Sequence, residues 1–554
     1  MPSPVTLGAY AVETPRDDSA SPKARSPRRF KLVIGVLLVC GVVMAAVGAS
    51  IYVFRTKVST NAGDIVTNLQ QSPAIRLTLT AKRASMAFNG KTSAQIYIVP
   101  RTASSPSFAF DAILSQVGPD MTQTYLLRDN RAYYSLSHND VVVDAGCLDA
   151  SQLPPIELLE SSLSTANVVD ATSGDVISAS DCPDGKLLHL TFAGEAYVFC
   201  NSENNKLTRA SSPDLDIAVE YLADVSSVPS MDVPAGLSCP VVVGPSQPAP
   251  AATLLQTSAA VSSALFGAPR VATVSKSSCA CKSTPKPCLF VHGVGERSSA
   301  PLADSYAGNW GSIEEHAPCC SSIKFAHFDT NTRSWTNETL QQEFCDAAQV
   351  VSGSPSPAIN NLLLVTYSMG NLIAGAAIHN NKCNFGKDVT WVSLASPMQG
   401  SKTSNEIETQ CAGGSLQWIL TKAGRCPTTE GYLSIRHQST VSGEMRAQFA
   451  AAQAVRAKYA NRLLCGTNAF GITSGKSLEV LVVGKISHHD DPTYDGFVDF
   501  SSCSQGFDRT KFGTDAATAL HYEASINHYD SSFLNGDGWW GADRKPVKWF
   551  ECAL

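Results

Sequence analysis

The sequence predicts an α/β chain: a mostly parallel sheet in the second half, preceded by a β-rich region and one membrane-spanning helix. Three observations carry this. Residues 32–54 form an unbroken uncharged apolar run. Short alternating runs recur between residues 59 and 240. From residue 287, continuous apolar runs alternate with helical stretches, the pattern of a parallel sheet covered on both faces.

The apolar run LVIGVLLVCGVVMAAVGASIYVF is long enough, at 1.5 Å per residue, to cross the ~30 Å hydrocarbon layer. It exceeds the roughly 7–15 residues of a signal-peptide core, which favours an anchor. The small residues of 45–50 leave a cleaved signal as the alternative. Arg16, Lys23, Arg25, Arg28, Arg29 and Lys31 precede the run, and only Arg55 and Lys57 closely follow it. The positive-inside bias therefore predicts a type II protein: a disordered cytosolic tail (1–31), a signal anchor (32–54) and everything beyond exported to the lumen or the cell exterior.

Of the 17 cysteines, Cys40 lies in the anchor, leaving sixteen between Cys147 and Cys552. An even number in an exported region predicts a disulfide framework. Cys279, Cys281 and Cys288 lack the partner pair of a zinc site, and no metal or cofactor is predicted. Asn337-Glu338-Thr339 is an acceptor triplet for glycosylation at Asn337. A net charge of -6 offers no general basic field, which argues against nucleic acid as a partner. With 44% hydrophobic and 16% charged residues, the chain is too apolar to be disordered throughout.

Residues 59–240 are expected to form a β-rich ectodomain with strands near 75–81, 93–99, 124–129, 131–137, 187–193, 195–200 and 216–223. One helical interruption is expected at 151–163. Cys147, Cys182, Cys200 and Cys239 are available for two staples. In architecture the pattern resembles a curved-sheet lipid-carrier domain; a stalk or docking surface is the alternative. The Pro-, Ala- and Ser-rich stretch 241–277 is a linker.

Residues 278–554 carry the chemistry. CLFV (288–291) ends in His292-Gly293-Val294-Gly295. IKFAHF (323–328) is a second strand, and 338–351 a helix. NLLLVTY (361–367) leads into Ser368, and 369–380 has helical spacing with small residues. VTWVSLA (389–395) and SLEVLVVGKI (477–486) are expected as further strands. A strand–Ser–helix turn exposes the hydroxyl at a helix N-terminus, where developing negative charge is stabilised. A serine also needs a base and an acid, and Asp495 in YDGFVDFSS and His528 in INHYD follow it in the chain. His521, seven residues before His528, is an alternative base, and Asp490, Asp491 and Asp499 are alternative acids. His488-His489-Asp490-Asp491 reads as a solvated surface cluster rather than a metal site.

Thr366-Tyr367-Ser368-Met369-Gly370 resembles the nucleophile elbow of lipase-like α/β-hydrolases, with Thr in place of the first Gly. The order Ser368, Asp495, His528 matches the family's. The turn at His292 is similar to its oxyanion loop, and Ser396-Pro397-Met398-Gln399-Gly400 to the loop bordering its acyl site. The resemblance spans about 285–554. It implies Ser368 as nucleophile, His528 as base, Asp495 as acid and the amides of Val294 and Met369 as oxyanion donors. It also implies a cap insertion about 401–463, pinned by a Cys411–Cys426 disulfide. The expected function is a membrane-anchored serine hydrolase cleaving carboxylic esters, with lipid esters as the expected class and thioester hydrolysis or acyl transfer through the same residues as an alternative. A non-catalytic binding or adhesion ectodomain is the rival, favoured by Thr366.

Overall fold

The computed structural model describes residues 62–242, 271–273 and 278–554, apart from 88–90, 102–108, 118–120, 140, 150–152, 154–155, 174–175, 356, 416, 423, 473 and 475. The predicted tail, the anchor and most of the linker lie outside the described residues. Among those described, no helix is long and apolar enough to cross a membrane.

Eleven strands form one antiparallel sheet. Across it run Val141–Cys147, Arg131–His138, Met121–Arg128, Phe110–Val117, Ser93–Pro100, Ala74–Ala81, Leu215–Leu222, Leu207–Ser211, Glu195–Ser202, Gly185–Phe192 and Asn167–Val169. Six strands therefore follow in chain order, and the first pairs with the last long one, Ala74 opposite Leu222. Period-two alternation makes one face apolar: in Ser93–Pro100, Ala94, Ile96 and Ile98 are buried while Ser93 and Gln95 are exposed. The helix 62–71 packs Ile65 and Leu69, one turn apart, into this core. Disulfides Cys147–Cys239 and Cys182–Cys200 staple the region. The helical interruption is one 3-10 turn, Ile156–Leu158, running into the helix Leu159–Ser164.

The second sheet has eight strands in the order Ala300–Ala303, Cys320–His327, Lys286–Val291, Leu362–Tyr367, Val389–Leu394, Ala460–Gly466, His521–Ala524 and Phe512–Gly513. All neighbours are parallel except the first pair. Its central strands are buried on both faces. Leu289 and Val291 meet the helices Glu338–Ser352, Met369–His379 and Gly443–Tyr459, while Cys288 and Phe290 face Trp310, Trp549 and Phe550. Six further disulfides link this region: Cys279–Cys552, Cys281–Cys319, Cys288–Cys320, Cys345–Cys383, Cys411–Cys426 and Cys465–Cys503.

Two expectations are corrected. SLEVLVVGKI is a helix, Ser477–Ile486, not a strand. Val480 and Val483, three apart, are buried along one side while Val482 is 38% exposed, the stripe of a surface helix. The strand beside Val389–Leu394 is instead Ala460–Gly466, whose Leu463, Leu464 and Cys465 are fully buried. The insertion 401–463 also divides. The helices Lys402–Cys411, Gln417–Lys422 and Glu430–Ser434 form the part that covers the cavity described below, whereas Gly443–Tyr459 packs against Met369–His379 and the chain from Ala460 joins the sheet. Helix Ser477–Ile486 completes the cover, Val483 clustering with Ile407, Leu420 and Tyr432.

The two sheets meet across a buried seam. Phe470 and Trp539 join the core of the antiparallel sheet. Arg83 reaches Asp537 and Glu551, and Asp214 receives both Lys545 and Lys548.

Candidate active site

Ser368 terminates a strand buried at every position, Leu362–Tyr367, and starts the helix Met369–His379. Its backbone has φ 52° and ψ -125°, a conformation L-residues rarely occupy, held here by the packed layers on either side. The turn needs close backbone approach. A Cβ on Gly370 would lie 2.8 Å from the carbonyl oxygens of Val291 and His292, and one on Gly293 would lie 2.7 Å from Ser368 Cβ. The His292 turn is thus pressed against the serine.

Thr366, the departure from glycine, is accommodated by its hydroxyl. Trp391 Nε1 donates to Thr366 Oγ1 at 2.7 Å, and Thr366 Oγ1 donates to Asn371 Oδ1 at 2.6 Å. Asn371 Nδ2 in turn donates to the carbonyls of Thr366, Ser368 and Leu394. All these groups are fully or nearly fully buried, so each polar atom has the partner that burial demands.

His528 Nε2 lies 2.9 Å from Ser368 Oγ, and His528 Nδ1 lies 2.7 Å from Asp495 Oδ2. The other carboxylate oxygen of Asp495 accepts from the amides of Phe497 at 3.0 Å and Val498 at 2.8 Å. The amide of His528 donates to the Asp495 carbonyl at 2.9 Å, tying the two loops together. A proton relay from hydroxyl to imidazole, with the imidazole oriented by a fixed carboxylate, is what this geometry can support.

Val294 lines the cavity beside Ser368, and Met369 is the first residue of the helix behind it. The turn before Val294 is locked. Phe328 N donates to His292 Nε2 at 3.0 Å, leaving Nδ1 to donate to the Gly293 carbonyl at 2.8 Å. Thr330 Oγ1 donates to that same carbonyl. Burial pushes the His292 imidazole down to about 4, so it is neutral and fits this tautomer. His521 is elsewhere: its Nδ1 accepts from Leu463 N at 3.2 Å, and it is absent from the cavity lining. His489 pairs with Asp499 and stacks on Tyr494, while Asp490 meets Lys402. No group of three metal-ligating side chains occurs among the described residues. Asn337 caps the helix Glu338–Ser352 through its side-chain oxygen, which accepts from Leu340 N, so its amide nitrogen is not used by the cap.

Sequence reasoning missed Arg425, Tyr432 and Tyr529. Arg425, 7% exposed, lines the cavity from within the Cys411–Cys426 loop. It donates to Tyr432 Oη at 2.9 Å, to Tyr529 Oη and to Glu479 at 3.2 Å. Burial opposes its charge, but Tyr529, Tyr432 and Glu479 outweigh this and hold it protonated more firmly than usual. The available signal was position, a basic residue next to a cysteine of the cap loop.

The parallel sheet, the sharp strand–Ser–helix turn and the chain order of the three groups define an α/β-hydrolase-like fold. No protein-family model matches the chain, and no curated protein does. Among solved structures, a lipase-esterase related protein from Clostridium acetobutylicum is similar at 14% identity over 34% of this chain and 76% of its own, with a TM-score of 0.20. A metagenomic carboxyl esterase matches at 14% identity over 52% of this chain and 77% of its own, with a TM-score of 0.28. LprF from Mycobacterium bovis matches at 10% identity over 33% of this chain and 98% of its own, with a TM-score of 0.21. At such scores these likenesses add no weight to the fold, which rests on the chain's own topology.

Proposed function

We propose that the chain is a serine hydrolase cleaving carboxylic esters through an acyl-enzyme on Ser368. The observation that carries this is the continuous hydrogen-bonded series Ser368–His528–Asp495 at an elbow whose backbone is forced into a rare conformation. Ser368 Oγ attacks the carbonyl carbon while His528 Nε2 takes its proton. The amides of Val294 and Met369 face the tetrahedral oxygen. His528 then protonates the departing alcohol, and water, activated by the same nitrogen, releases the acid and regenerates the serine. Asp495 holds the imidazole in the tautomer this requires. Acyl transfer differs only in the acceptor that replaces water.

The cavity at Ser368 measures about 80 Å³, about half the volume of an engineered apolar cavity of roughly 150 Å³ that takes up benzene. A short acyl or leaving group fits as the cover stands. A lipid chain requires the helices Lys402–Cys411 and Ser477–Ile486 to move. Lipid esters therefore belong to this proposal only with an opening cap. Thr366, the reason for a non-catalytic reading, is accommodated by Trp391 and Asn371 and no longer favours it. The proposed setting is a type II membrane protein with the hydrolase region exported, where eight disulfides persist.

The test is a fluorophosphonate probe on the full-length protein. Covalent labelling of wild type, lost in Ser368→Ala, is expected together with hydrolysis of short esters. A folded protein that neither labels nor turns over any ester of a chain-length panel overturns the reading.

A further inference from the structure

The lining of the Ser368 cavity holds one full positive charge, Arg425, and no carboxylate. Arg425 is not fully compensated. Its only ion-pair partner among the described residues, Glu479, also binds Lys476 at 3.1 Å, and its own Nε is buried without a hydrogen-bond partner. One face of the guanidinium lies against Phe497, 5.1 Å from the ring centre, which fixes its plane.

The two tyrosines extend this charge. Arg425 donates to the oxygens of both Tyr432 and Tyr529, so each hydroxyl hydrogen must point away from the guanidinium. Neither hydrogen has an acceptor among the described residues, and both tyrosines line the cavity with Ser368. Two O–H donors and a cation thus surround a space that contains no acceptor of matching charge. A buried donor without an acceptor is costly, on the order of 1–3 kcal/mol, and an oxygen-rich ligand relieves it.

We propose that Arg425, with the hydroxyls of Tyr432 and Tyr529, determines specificity at this site, and that the ester it takes carries a small anionic oxygen group, carboxylate or phosphate, on one side of the scissile bond. This rests on the hydrolase reading and narrows it to a substrate class. The cavity admits only a short spacer between the two groups. A neutral ester fills the same space but leaves the three donors unmet. Discrimination therefore comes from unpaired donors when the wrong substrate binds, the arrangement that separates close analogues most sharply.

The experiment has two arms, to learn which side of the ester carries the charge. On the acyl side, monomethyl succinate is compared with methyl butyrate; on the alcohol side, 2-acetoxyethyl phosphate is compared with 2-acetoxyethanol. Wild type is expected to favour the anionic member of one pair by about 10- to 100-fold in kcat/KM, the range for charge-assisted hydrogen bonds. Arg425→Gln should erase the preference mainly through KM, and Arg425→Lys should restore part of it. Should Arg425→Gln fail to fold, the Tyr432→Phe and Tyr529→Phe double variant, which keeps the charge, should lower the preference several-fold. Equal rates for both members of both pairs overturn the inference, as does an Arg425→Gln variant that slows all four esters alike, the mark of a purely structural role. Calorimetry on Ser368→Ala separates the two readings. Binding of the preferred anionic ester that is lost in Ser368→Ala/Arg425→Gln supports recognition even without turnover. No binding by a Ser368→Ala protein whose parent labels and hydrolyses overturns recognition and leaves the hydrolase reading standing.

Discussion

The α/β region buries charge on two sides, and the two sides handle it differently. Against the antiparallel sheet, the buried cations Arg83, Lys545 and Lys548 each have a carboxylate in reach. Lys548 meets Asp214 at 2.6 Å, Lys545 meets Asp214 at 2.7 Å and also Glu195, and Arg83 meets Glu551 at 3.0 Å and Asp537 at 3.3 Å. His316 joins Glu551 at 2.8 Å. In the Ser368 cavity a single guanidinium shares its one carboxylate with a lysine. Buried ion pairs add little net stability over apolar residues of the same volume, but removing one partner is severe. The seam charges therefore act as registration, fixing one sheet on the other. The cavity charge is left for a ligand.

The comparison predicts that the two sides fail differently when cut. His528→Ala should lower ester turnover by roughly 10⁴-fold, since loss of the base removes the whole relay. The urea midpoint should stay close to wild type. Asp214→Ala should do the reverse. It strands the ammonium group of Lys548 and leaves Lys545 with Glu195 alone, in a site where their side chains are 6% and 1% exposed, at a cost of about 3–5 kcal/mol in urea denaturation. What remains folded should keep the wild-type ratio between anionic and neutral esters. A loss below 1 kcal/mol, or a changed ratio, breaks the distinction between seam and cavity.

Asp530 is the intermediate case, a buried carboxylate with hydrogen bonds but no ion pair among the described residues. It accepts from Ile472 N, Asn527 N and Asn535 Nδ2. Burial nonetheless raises it from 3.8 to about 7. The folded state thus holds this proton more tightly than the unfolded chain does. Its contribution is fully present below pH 3.8 and is lost as the pH rises through about 7. The whole effect is at most roughly 4 kcal/mol. Denaturation between pH 4 and pH 8 should show this downward contribution in wild type and not in Asp530→Asn, any constant offset of the variant leaving the slope unaffected. Equal slopes would place Asp530 with the compensated groups of the seam.

How much of this was visible beforehand depends on whether the cause is local. The antiparallel strands were legible because one face is buried, as Ile96 and Ile98 against Gln95 illustrate. Phe110–Val117, Val141–Cys147, Asn167–Val169 and Leu207–Ser211 were missed. The second of these is an edge strand whose Val141 is 65% exposed, so no burial pattern announces it. Ser368 was legible because a uniformly apolar run ends at a small-residue helix, a signal contained in about fifteen residues. SLEVLVVGKI misled because valine and leucine runs serve strand and buried helix alike, and only its packing on Lys402–Cys411 separates them. Arg425 and the seam were invisible for a common reason. Arg83, Asp214, Asp537 and Glu551 are brought together from distant parts of the chain, and no local pattern marks a residue whose role is set by its partner's position.

The elbow offers a smaller test of satisfied burial. Thr366→Val keeps the volume and removes the hydroxyl, leaving Trp391 Nε1 without its acceptor and Asn371 Oδ1 without its donor. A cost of about 1–3 kcal/mol is expected in urea denaturation. The Ser368 labelling rate should fall as well, because Asn371 also holds the Ser368 carbonyl. Unchanged stability would mean that Thr366 is tolerated at the elbow for its size alone.

The smallest effect makes the sharpest control. Lys324 meets Asp304 at 2.6 Å, the same separation as Lys548 and Asp214, but with side chains 38% and 86% exposed rather than 6% and 2%. If distance set the energy, Lys324→Ala and a cut at the seam would cost alike. Water screens the exposed pair and solvates whichever partner is left, so Lys324→Ala should cost no more than about 0.5 kcal/mol. Stability of wild type and variant should converge further as salt is raised. At the seam no water replaces the missing partner, and salt should leave the penalty of Asp214→Ala almost untouched. Two ion pairs of equal length that differ several-fold in consequence would show that burial, rather than contact geometry, makes the seam a fastener and leaves Arg425 poised for a ligand.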